Sequence, residues 1–117
     1  MEPQDRQEIV ENIQYLIQAG DTAKLKNIIV DSHAADIADL LQELSEEEAP
    51  VFFKLVDADT ASDVLIELDE VTREHIIDAI GLKRLTSIID EMDSDDAADV
   101  VAELDAAVAQ RVLSGIG

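Results

Sequence analysis

Hydrophobic pairs recur along this chain every twelve residues. Starting from Leu40-Leu41 and stepping in both directions, they are Leu16-Ile17, Ile28-Ile29, Phe52-Phe53, Val64-Leu65, Ile76-Ile77, Ile88-Ile89, Val100-Val101 and Val112-Leu113. Three residues before each pair stand Ile13, Leu25, Ile37, Ala49, Ala61, Arg73, Leu85, Ala97 and Ala109. Four residues after the first member of each pair stand Leu44, Val56, Leu68, Ile80, Met92, Leu104 and Ile116, with Gly20 and Ser32 in the two earliest units. Apolar positions at i, i+3, i+4 and i+7 make one stripe of a helix, so each unit predicts one short amphipathic helix.

The next column supplies the starts. It reads Asp21, His33, Ser45, Asp57, Asp69, Gly81, Asp93 and Asp105. Asp and Ser are favoured N-caps because a side-chain oxygen accepts a bond from an orphan N–H of the first turn. Ser45 followed by Glu48 has the spacing of a capping box. With Ser45 as the cap, Pro50 falls early in its helix, an awkward placement that a helix start survives. Each unit therefore reads as a cap, two to three helical turns and a tight bend. Residues 1–8 fray or extend the first helix. Helices this short are unstable alone and must stack. The expected architecture is all-α, a single domain over 1–117: a solenoid of about eight to nine short helices wound into a superhelix.

Composition agrees with packed helices. Hydrophobic residues make up 47% and aromatic ones only 3%, a core of Leu, Ile, Val and Ala. Charge adds a strong constraint: 28 acids against 8 basic residues give a formal net charge of −20. Such a surface repels nucleic acid and anionic lipid, and it favours cations or basic protein surfaces. There is no cysteine, hence no disulfide, thiolate metal site or cysteine nucleophile. The start "MEPQDRQEIV" lacks the basic and apolar regions of a signal peptide, and no run approaches the roughly 20 apolar residues of a membrane span.

Enzyme chemistry is disfavoured. No serine stands in a "GxSxG" context, the four glycines form no phosphate loop, and neither histidine has an "HExxH"-like spacing. His33 reads as a turn histidine and His75 as a solvated one. The acids are the better candidates. Asp95 and Asp99 stand one turn apart, opposite the apolar stripe at about 100° per residue; Asp59 and Asp63 hold the same two positions in an earlier unit. Mg²⁺ takes oxygen ligands, keeps several waters and uses one or two carboxylates, so Asp95 and Asp99 suit half a site that a second acidic surface would complete. No "DxDxDG" loop is present, which excludes an EF-hand. Against this stands a structural reading. Asp93 caps a helix while Asp95 and Asp96 favour its positive N-terminal end, which itself disfavours a cation.

Three stretches, "AGDTAKLKNII" (19–29), "HAADIADLLQEL" (33–44) and "DSDDAADVVAEL" (93–104), together resemble the intracellular N-terminal domain of MgtE-type magnesium transporters. The resemblance runs from about residue 10 to 113 and departs from the family's "HPxD" at Ala34. It implies a right-handed superhelix on the cytoplasmic side of the membrane. In the full-length protein this domain precedes a CBS domain pair and a homodimeric membrane domain. Mg²⁺ at the interface with the CBS pair then favours the closed pore. The family's ligand positions fall on Asp95, Asp99 and Asp63, the last where the family can have Glu. The chain ends at Gly117, before any CBS or membrane segment. It is expected to be either the soluble sensor piece of a transporter or a free-standing domain. The alternative function is a helical-repeat protein-interaction module with no metal-sensing role.

Overall fold

A computed structural model describes residues 3–115. Those residues form nine α-helices and no strand: α1 (Pro3–Ala19), α2 (Thr22–Val30), α3 (Ala34–Glu43), α4 (Glu48–Phe53), α5 (Ala58–Glu67), α6 (Glu70–Ile80), α7 (Leu82–Asp90), α8 (Ser94–Glu103) and α9 (Ala106–Gly115). From α2 onward the starts at 22, 34, 58, 70, 82, 94 and 106 keep the twelve-residue register. Residues 3–8 extend the first helix; Met1, Glu2 and the apolar position Ile116 lie outside the described residues.

Alternate helices pack side by side, α1 on α3, α3 on α5, α5 on α7 and α7 on α9, while α4 packs on α6. The molecule measures 40 × 26 × 22 Å along its principal axes. The twelve-residue columns are what it buries. Ile13, Ile37, Leu40, Leu41, Phe52, Phe53, Ala61, Val64, Leu65, Ile76, Leu85, Ile88 and Ile89 are all sealed from solvent. Burial thins toward the C-terminus: α3 and α5 bury four residues each, whereas α8 buries Val100 alone and α9 Val112 alone.

The capping column performs as its chemistry requires at most junctions. The carboxylates of Asp21, Asp57 and Asp69 accept from the backbone N–H of Lys24, Thr60 and Thr72. Asp105 accepts from Ala107 and Val108. Gly81 ends α6 and starts α7 by itself, with φ of +86°. A side chain is strained in that left-handed region, so glycine is what permits a one-residue joint.

The fourth helix departs from register and starts two residues late, at Glu48. Ser45 and Glu48 close a reciprocal capping box, Glu48 N–H on Ser45 Oγ at 3.2 Å and Ser45 N–H on Glu48 Oε1 at 3.0 Å. Gln14 of α1 donates to the same carboxylate oxygen at 3.0 Å. Pro50, buried, has no N–H for the Glu46 carbonyl four residues back. His75 of α6 fills that gap, with Nε2 2.9 Å from Glu46 O. His75 is therefore half-buried and bonded across helices rather than simply solvated. Its position on the polar side of its own helix faces the proline-weakened start of α4, a relation that one helix's periodicity does not contain.

These contacts carry two measurable consequences. His75→Ala should cost about 0.5–1.5 kcal/mol in urea unfolding. The cost should shrink in a Pro50→Ala background, because an alanine at that position supplies the N–H that the Glu46 carbonyl lacks; equal costs in both backgrounds would show that the Glu46 carbonyl is not what His75 serves. The Glu48 carboxyl is held below the usual carboxylate range, first by the Ser45 backbone N–H and then by the Gln14 amide, with partial burial opposing. A lowered folded-state pKa stabilises above the unfolded value and is lost as pH falls through the folded one. The melting-temperature gap between the wild type and Glu48→Gln should thus be widest at neutral pH and close below the ordinary carboxylate range; a gap independent of pH would refute it.

Candidate functional site

The acids of interest stand on α8. Between Arg84 and Arg111 the chain carries Asp90, Glu91, Asp93, Asp95, Asp96, Asp99, Glu103 and Asp105 and no basic residue. Asp93 occupies the N-cap position with extended backbone (φ −61°, ψ 151°), yet its side chain makes no capping bond. Charge explains the exception. Where an aspartate caps in this fold, the residue three on is Lys24, Thr60 or Thr72, or Val108 after Asp105. After Asp93 it is Asp96, with Asp95 beside it. Three carboxylates in one turn repel, and the cap geometry would bring two of them together.

Asp95 and Asp99 are both exposed, one turn apart on the solvent side of α8. Asp99 also borders a shallow hollow of about 280 Å³ with Asp96, Glu103, Val100, Ile66 of α5 and Arg73 of α6. Arg73 Nε lies 3.1 Å from Glu103 Oε2, with its side chain only 15% exposed, and that buried nitrogen completes no hydrogen bond. On the other side of Glu103, a second hollow of about 280 Å³ is rimmed by Glu70, Glu74, Asp78, Glu103 and Asp105 over an apolar floor of Ile77, Leu104 and Val108.

Asp63 is exposed on α5, at the register position it shares with Asp99. α5 packs on α3 and α7. The fold does not gather Asp63 with Asp95 and Asp99 into one ligand set: among the described residues no group of three or more His, Asp or Glu side chains could hold a metal ion. The donor chemistry nevertheless fits a hydrated hard cation, which asks for one or two carboxylates and supplies its own water for the rest. It does not fit a closed protein cage.

The profile of the MgtE intracellular N domain family matches residues 32–116, α3 through α9. The chain belongs to that family. No curated protein matches it. The MgtE N domain match begins at Ser32, so the stretch "AGDTAKLKNII" and helices α1 and α2 lie outside it. The family places this chain with the N-terminal domains of magnesium transporters. None of the helices described is long and apolar enough to cross a membrane.

Sequence reasoning passed over Arg73, although its signal was present. It is the one charged residue in a column of Ile, Leu and Ala. The idle Asp93 cap offers a direct check. Asp96→Thr recreates the Asp57–Thr60 and Asp69–Thr72 arrangement and should stabilise the domain by about 0.5–1 kcal/mol in urea unfolding. No gain, or a loss, would show that repulsion at Asp96 is not what keeps Asp93 from capping.

Proposed function

We propose that this MgtE N domain is a non-catalytic, magnesium-responsive regulatory domain of a magnesium transporter. Its helices wind as a right-handed superhelix, and its acidic α8 face docks on a CBS domain pair of the same full-length homodimeric protein, on the cytoplasmic side of the membrane. The observation that carries the reading is the exposed Asp95–Asp99 pair on a helix that belongs to this family and has no basic residue of its own. Asp95 and Asp99 hold a hydrated Mg²⁺ ion weakly on the open surface. Acids of the docked partner complete its coordination. Asp63, three helices earlier on α5, serves a separate contact at the same interface.

Electrostatics supplies the switch. A domain with a net charge of −20 approaches another acidic surface only with counter-ions between them. Carboxylates shared with the partner bind Mg²⁺ better in the docked state, so rising magnesium shifts the population toward docking and a closed pore. At low magnesium the acids repel, and the assembly loosens.

Addition of MgCl₂ to the ¹⁵N-labelled chain at constant ionic strength should move the amide signals around Asp95 and Asp99 first. The double change Asp95→Asn with Asp99→Asn should abolish that local response and leave the rest of the spectrum unchanged. Shifts spread evenly over all the acids would mean only general screening, and the pair would lose its assignment. The interaction-module reading is favoured by one feature, an apolar hollow among Ile89, Ala97, Val101 and the exposed Leu113. It gains ground if the double change leaves partner docking and its magnesium dependence intact.

A further inference from the structure

Arg73 stands where eight other units carry Ile, Leu or Ala, three residues before the apolar pair. A guanidinium at the edge of a core is costly unless it is paired. Its pairing here is incomplete. Arg73 Nε meets Glu103 Oε2 at 3.1 Å without forming a hydrogen bond. The same side chain lines the hollow bordered by Asp96 and Asp99. Asp96, Asp99 and Glu103 follow i, i+3, i+7 spacing, which is one face of α8. Three carboxylates of α8 thus look onto a single fixed cation from α6, and only one of them is in ion-pair contact with it.

We infer that Arg73 is a built-in counter-ion that competes with the divalent cation for Asp99 and so sets the magnesium concentration at which the Asp95–Asp99 pair responds. The inference rests on the metal reading of that pair. Its physical basis is the repulsion between two cations that share one carboxylate face. Glu103 is the restraint: it draws the guanidinium toward the far end of the helix and leaves Asp99 partly free. Arg73 is therefore a tuning residue rather than a ligand. Two substitutions should act in opposite directions. Removing the charge at Arg73 tightens the site, and removing the charge at Glu103 releases the guanidinium toward Asp99 and weakens it.

The test is MgCl₂ addition to the ¹⁵N-labelled 117-residue chain and to Arg73→Gln, Arg73→Lys and Glu103→Gln, at constant ionic strength, read from the α8 amide shifts. Arg73→Gln should lower the midpoint roughly three- to tenfold, Arg73→Lys should hold it within about twofold, and Glu103→Gln should raise it. An unmoved midpoint in a well-dispersed Arg73→Gln spectrum overturns the inference, as does a Lys variant that moves with the Gln variant. If Arg73→Gln loses its dispersed spectrum, Glu103→Gln decides: a raised midpoint supports the counter-ion and an unchanged one overturns it. A wild-type response spread over all acids overturns the metal reading and this inference with it. A response localised at Asp95 and Asp99 with no change in the variants overturns this inference alone.

Discussion

Each helix from α2 to α9 has between six and eleven residues, too few to hold its own backbone bonds in water. Burial of the stripe against neighbours on both sides is what keeps these helices formed, and the rest of the structure follows from that need. Alternate helices must lie within contact distance, so the connections shrink to a residue or a few, and each connection must end one helix and start the next. That double duty explains why Asp, Ser and Gly occupy the junction column. Polar side chains that cross the helices add specificity. Gln14 reaches Glu48, Gln42 accepts from the Asp69 N–H, and Arg84 donates to the Val56 carbonyl.

Charge works against this compaction. With 28 acids and 8 bases, only three ion pairs form among the described residues, and two of them, Arg6–Asp39 and Lys24–Asp21, are partly exposed and weak. The acids therefore crowd the outward faces, where water screens them. Their density is highest on and beside α8, and it coincides with the region where least side chain is buried. Packing and repulsion are balanced differently at the two ends of the chain.

The one-dimensional part of this structure was legible because its period equals one helix. Helix number, most starts, the capping box, the early place of Pro50 in its helix and the solvent-facing position of Asp95 and Asp99 all follow from columns of residue types. Relations between helices were not legible. Whether His75 meets water or the Glu46 carbonyl depends on how α6 lies against α4. Whether Asp63 approaches Asp99 depends on the offset between α5 and α8, and equal register positions do not supply it. Asp93 looked like a cap by type, but its neighbours' charges override type. Arg73 marked itself by breaking its column, but its ion pair with Glu103 of α8 is visible only in the structure.

The thinning of the core toward α8 and α9 bears on how the molecule moves. Backbone segments with few buried contacts open at a fraction of the global unfolding free energy, and they exchange their amide protons through those local openings. With Val100 as its one buried residue and Ala97 and Val101 only partly covered, α8 falls toward that low-stability end, whereas α3 and α5, with four buried residues each, fall toward the global one. The densest acids of the protein are thus mounted on a compliant element over a stiff base. Any counter-charge that settles on α8 does more than neutralise it: it also quiets the part of the fold with the most freedom to respond.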